Sequence, residues 1–166
     1  MMIIKTRNAL PAPTPEAIAK VEREIGRTLP SEYIEILKKL NGAYFDSNAF
    51  DIPGGGGSGI GQFIPFDKIH QNIGYMEQTE VSGYFPIAHA EGGNYVCISL
   101  HDGDYGCIYF WDHEIPGYEA LSKVGSSLVV FLDSLRPFKP EEIYLDPARV
   151  KSVWVDPEFL KNLKDD

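Results

Sequence analysis

Nowhere in these 166 residues does an apolar run approach the roughly 18 that a bilayer span requires, so no transmembrane helix is expected. The amino terminus, MMIIKTRNALPAP, reaches proline after too short an apolar patch for a signal peptide, which points to a cytosolic protein. Cysteine is scarce. Cys97 and Cys107 both sit in strand-like apolar runs and neither belongs to a CxxC pair, the pattern of buried, reduced thiols. Basic residues are outnumbered 15 to 24 and are scattered, with no stripe to neutralise phosphates. Direct nucleic-acid binding is thereby disfavoured. Internal repeats are absent, and so is a phosphate loop. Gly54, Gly56 and Gly59 satisfy GxGxxG, but no strand precedes them, no helix follows, and no Lys-Ser/Thr closes the motif.

What is present suits one folded domain over residues 1–166, with a core spanning about 14–135 and an appended tail from 136 to 166. An apolar fraction of 43% and a charged fraction of 23% are ordinary for a globular chain. The net charge of −9 favours solubility and the steering of a basic partner, and by itself selects neither.

Helix signals open the chain. Thr14 can cap, Pro15 suits a first turn, Glu16 favours the positive end of the dipole, and Ile18, Val21 and Ile25 recur at helical spacing before Gly26. LPSEY restarts the pattern, with Ser31 as cap and Tyr33, Ile34, Leu37 and Leu40 on one face before Asn41-Gly42. Together these predict a helical hairpin. DIPGGGGSGIGQF reads as a flexible loop, FIPF as a short strand or edge element, and Asp67 as the cap of a third helix. From Tyr84 onward, YFPIA, NYVCISL and GCIYFWD read as strands separated by the turn chemistry of HAEGG and HDGD. Ser126 or Ser127 then caps a helix bearing Leu128, Phe131, Leu132 and Leu135. In the tail, residues 153–155 suggest a short strand and Asp156-Pro157-Glu158 the start of a last helix.

The stretch HDGDYGCIYFWDHE poses the functional question, since it packs two histidines and four carboxylates around an apolar core. With Asp102-Gly103 as a tight turn, Cys97 should lie opposite Ile108 and Leu100 opposite Tyr105. Extended chain of about 3.3 Å per residue then puts Asp104 roughly 30 Å from His113, too far to share a metal. The turn end, His101, Asp102 and Asp104, is explained by turn chemistry and lacks the further ligands of a calcium loop. The other end sets Asp112, His113 and Glu114 opposite Glu91-Gly92-Gly93 with His89 close by. Three readings compete there. The residues can simply end a strand, contact a partner, or form a metal or acid–base site, although the spacing matches no recognised zinc or iron motif.

The order of the pieces is more specific than any one of them. TPEAIAKVEREIGRTLPSEYIEILKKLNGA, FIPFDKI, FPIAHAEGGNYVCISL, DYGCIYFWDHE and SSLVVFLDSL together resemble the SUKH superfamily, named partly for a fungal cell-wall-synthesis regulator. The resemblance runs from Thr14 to about Leu135. It implies an α+β fold with a mainly antiparallel sheet flanked by helices, and no known catalytic activity; the residues themselves lead us to expect no bound metal and no cofactor. It also implies a protein-binding module. Bacterial members are typically immunity proteins that neutralise a toxin of the polymorphic or contact-dependent type, often a nuclease, while others act as regulatory interaction modules. WDHE, residues 111–114, is then a recurring segment at the edge of the binding face. Candidate partner contacts are Glu91, Asp112, His113 and Glu114 at that end, Asp102 and Asp104 at the other, and Tyr44 and Phe45 as aromatic anchors. The competing class is a small metal-dependent enzyme using His89, Glu91, Asp112 and His113.

Overall fold

The computed structural model describes residues 5–139. In chain order the elements are β1 (Thr6–Arg7), α1 (Pro15–Ile25), α2 (Ser31–Leu40), β2 (Tyr44–Phe45), β3 (Ala49–Asp51), β4 (Gly57–Phe63), α3 (Ile69–Glu77), β5 (Tyr84–Ala90), β6 (Tyr95–Ser99), β7 (Ile108–Trp111), β8 (Leu121–Gly125) and α4 (Leu128–Asp133). The sheet runs β1-β2-β4-β5-β6-β7-β8, with β3 paired to β4 off this path, and every pairing is antiparallel. The architecture is α+β.

Local chemistry explains the helix ends. The Thr14 hydroxyl accepts a hydrogen bond from the Ala17 N–H, and Gly26 closes α1 at φ 68°, where a side chain would be strained. Ser127 caps α4 through the N–H of Val130. Ser31 does not cap α2. Pro30 holds the cap position, Ser31 is already the first helical residue, and the side chain forms no capping bond. Asp67 is likewise no cap, since it lies within a single 3₁₀ turn, Phe66–Lys68, that leads directly into α3. FIPF is therefore not a strand. Phe63 ends β4 and Phe66 begins that turn.

The glycine-rich stretch is only in part a loop. Gly57–Phe63 is a seven-residue strand, held by β2 and β3 along one flank and by β5 along the other. Its glycines permit close approach. A Cβ on Gly57 would meet the Phe50 carbonyl oxygen at 2.9 Å, and one on Gly59 would meet the Glu91 carboxylate at 2.8 Å. Backbone pairing, not side-chain periodicity, orders this segment.

Pairing register assigns the two faces. Directly opposed residues of an antiparallel pair project to the same side, so Phe45, Phe63, Ala88, Val96 and Phe110 share one face. That face carries α2 and α4: Tyr33 packs on Phe63 and Phe85, and Phe50 joins Phe110 to Phe131. Phe45 is consequently buried in the core and unavailable as a docking anchor. The opposite face carries Tyr44, Gln62, His89, Tyr95 and Trp111 in one row. Helix α3 reaches this row, its Asn72 amide oxygen accepting from the Tyr95 hydroxyl at 2.8 Å and Tyr75 standing edge-on to Tyr95 and Trp111. Both cysteines are buried and reduced. The strand and helix expected at 153–158 lie outside the described residues.

Candidate functional site

The β6–β7 hairpin is one residue out of its expected register. Cys97 pairs with Tyr109 and Ile98 with Ile108, so the connection is a longer loop over residues 100–107, not a two-residue Asp-Gly turn. The loop is closed by bonds from Ser99 N–H to Cys107 O and from Gly106 N–H to Ser99 O. A one-residue slip exchanges faces, and here it sends Tyr109 to the same side as Cys97 and Tyr95.

Each carboxylate of the loop has an internal task. Arg27 binds Asp102 at 2.6 Å and also the Leu100 carbonyl, while the Tyr105 hydroxyl donates to Thr28 O, so the loop is tied to the link between α1 and α2. Asp104 folds inward. Its two oxygens accept from the Ser99 hydroxyl at 2.5 Å and the Tyr109 hydroxyl at 2.6 Å. Burial alone would raise the Asp104 pKa, but these two hydroxyls, together with the nearby charges of His101 and Lys123, outweigh it and lower the carboxyl from its ordinary value. The same bond from Tyr109 to Asp104, with burial second, pushes the phenol well above its ordinary value.

At the other end, Asp112 donates its N–H to Ala120 O and accepts the Glu114 N–H on its carboxylate, which shapes the start of the next loop. The His113 N–H donates to Asn94 Oδ1, and ring Nδ1 lies 2.7 Å from the same oxygen. A backbone N–H can only donate, so that Asn94 atom is the acceptor. Neutral His113 therefore carries its proton on Nδ1 and leaves Nε2 unprotonated. The ring rests against Gly93, where a Cβ would stand 3.4 Å from it. Glu91 turns elsewhere, its carboxylate lying over Gly59 of β4. Among the described residues no three His, Cys, Asp or Glu side chains gather as a metal would need, so the set His89, Glu91, Asp112 and His113 is not assembled.

His89 sits within the row of the sheet, its ring 5.5 Å from Tyr95, and burial lowers its pKa from the ordinary 6.5. The unfolded chain therefore takes up this proton first as pH falls, so the fold should lose stability below about pH 6.5. Urea midpoints measured at about pH 7.5 and about pH 5 should differ less for His89→Gln than for the wild type.

The two hairpin ends are not separate surfaces. Strand β7 has four residues, and the loop over residues 112–120 folds back along the sheet. Tyr118, 53% exposed, meets Tyr84 with ring centroids 6.4 Å apart and places its hydroxyl 3.1 Å from Ser82 Oγ. Tyr84 in turn stands edge-on to Tyr109 and His101, at 5.2 and 5.1 Å. Tyr118 thus links the loop that begins at Asp112 to the residues held by Asp104. Tyr44 is 39% exposed at the far side of the sheet, with the Arg7 guanidinium over its ring at 5.6 Å.

Reasoning from short motifs missed Tyr84, Tyr109 and Tyr118, yet a charge signal was available. Between Lys68 and Lys123 the chain has eight carboxylates, all four histidines, six of its nine tyrosines, and no lysine or arginine. This stretch builds α3, β5, β6, β7 and their loops. No described helix is long and apolar enough to cross a membrane.

Comparison with known proteins finds 28% identity to the SPbeta prophage-derived uncharacterized protein YokK of Bacillus subtilis (strain 168), over 61% of this chain and 63% of that relative. The chain thus matches less than two thirds of the relative's own length. The model of the SMI1 / KNR4 family (SUKH-1) matches residues 12–134, which takes in every element from α1 to α4, and the chain belongs to that family.

Proposed function

We infer that this protein is a non-catalytic cytoplasmic binding module of the immunity type, which neutralises a toxin domain with a basic surface. The observation that carries this reading is the segment between Lys68 and Lys123, acidic and rich in tyrosine, three of whose rings, Tyr84, Tyr109 and Tyr118, meet on one face of the sheet. Tyrosine suits interface anchors because its large ring is apolar and its hydroxyl stays wet. A net negative field favours encounter with a basic partner, and toxic nucleases carry basic clefts for phosphate. Asp112, His113 and Glu114 form the rim we assign to that partner, with the 39% exposed Ile115 beside them. Asp102, already paired with Arg27, and Glu91, turned over Gly59, are weaker candidates.

The test is co-expression with the toxin domain encoded next to this chain. Wild type should protect the cell and co-purify with the toxin. Asp112→Lys/Glu114→Lys should slow association by about tenfold and make it less sensitive to salt, with only a small fall in melting temperature from the lost bond between Glu114 N–H and Asp112. Failure of the wild type to bind or protect overturns the reading. Protection with unaltered kinetics in the double variant moves the rim elsewhere.

A further inference from the structure

Within the acidic surface one place has a more definite chemistry. Tyr84 contacts both Tyr109 and Tyr118, with ring centroids 5.2 and 6.4 Å away, so three phenol rings stand side by side on the sheet. Tyr109 donates its hydroxyl to Asp104 at 2.6 Å, and a phenol that donates to a carboxylate becomes more electron-rich. Asp104 keeps its negative charge beside the Tyr109 hydroxyl, since the Ser99 and Tyr109 hydroxyls and the nearby His101 and Lys123 all favour the charged form. Lys123 on β8, opposed to Tyr109, is the cation nearest in the sheet register.

We propose that the Tyr84–Tyr109–Tyr118 site receives an arginine side chain from a basic protein partner, with the guanidinium plane against the tyrosine rings and its charge facing Asp104. Arginine fits better than lysine. A guanidinium is planar, weakly hydrated and able to stack while still donating hydrogen bonds, whereas an ammonium is a compact, strongly hydrated charge. Charge complementarity supports the same occupant, since the chain contributes no lysine or arginine between Lys68 and Lys123. This assignment rests on the protein-binding role inferred above and names the chemistry of the bound group.

The experiment is a nuclear magnetic resonance titration of the full chain, labelled at its tyrosine rings. The probes are two short acetylated peptides of equal length and charge, one bearing arginine and the other lysine. The arginine peptide should bind about three- to fivefold more tightly and shift the Tyr84 and Tyr118 ring signals first. Tyr118→Ala should abolish that preference, and Tyr118→Phe, which keeps the ring and loses only the hydroxyl contact with Ser82, should retain it. Lys123→Gln should bind the arginine peptide at least as tightly as wild type. Equal affinity for the two peptides, shifts centred away from these rings, or an unchanged preference in Tyr118→Ala would each overturn the site. The outcome is separable from the immunity reading. Arginine preference at these rings without toxin binding upholds the site and defeats that reading. Toxin neutralisation with an unchanged Kd in Tyr118→Ala does the reverse.

Discussion

Trp111→Ala should lower the unfolding free energy by about 3–5 kcal/mol, the range for deleting a large aromatic from a packed interior. Trp111 has no accessible surface, stacks on Tyr95 at 5.4 Å with 13° between planes, and meets the edge of Tyr75 at 5.8 Å. Neither α3 nor the neighbouring strand can close over the space, because each is held by its own bonds, including Asn72 to Tyr95. Indole Nε1 is buried without a hydrogen-bond partner among the described residues. Trp111→Phe therefore removes an unsatisfied donor along with some packing, and should cost only about 1–2 kcal/mol. Urea unfolding of the three proteins gives the comparison directly. A near-neutral Trp111→Ala would mean that the indole is not packed as described.

The second large effect is expected at Asp104. Asp104→Ala removes the acceptor of two hydroxyls, one on the fully buried Ser99, and should cost about 2–3 kcal/mol. The pH dependence distinguishes this network from a simple packing loss. The Asp104 pKa is lowered on folding, so the unfolded chain binds the proton first. The contribution is complete above about pH 4 and is lost as pH falls through the folded value. Tyr109 is shifted upward, so the unfolded phenol ionises first, and the contribution is lost again as pH rises beyond about 10. In Asp104→Asn, ultraviolet difference titration should show a tyrosine ionising at lower pH than in the wild type, and the loss of stability in acid should be shallower. An unchanged tyrosine titration would remove Tyr109 from the network.

How much of this could be read in advance depended on the range of the interaction. Helices α1 and α4 were legible with their caps, because Thr14, Gly26 and Ser127 act within one helical turn of their own sequence position. The strands at 95–99 and 108–111 were legible because their apolar runs are continuous and rich in β-branched and aromatic residues. The hairpin register was not. Asp-Gly suggested a two-residue turn, but Ser99, Tyr109 and Arg27 hold a longer loop through Asp104 and Asp102, and those partners lie up to 75 residues away.

The sequence by itself determined the α+β composition, the acidic balance and the order of elements that places the chain in its family. It also concentrated carboxylates, histidines and tyrosines between Lys68 and Lys123. Only the tertiary structure decided which of these residues act together. Pairing with β3 and β5 turned a glycine tract into strand β4, since backbone hydrogen bonds need no side-chain pattern to announce them. Sheet register buried Phe45, left Tyr44 half-open and moved Glu91 away from His113. A folded-back loop set Tyr118 on Tyr84, making one surface of two hairpin ends that a straight strand would have kept apart. Local propensity acts over a few residues, whereas a surface is made by residues that only folding brings together.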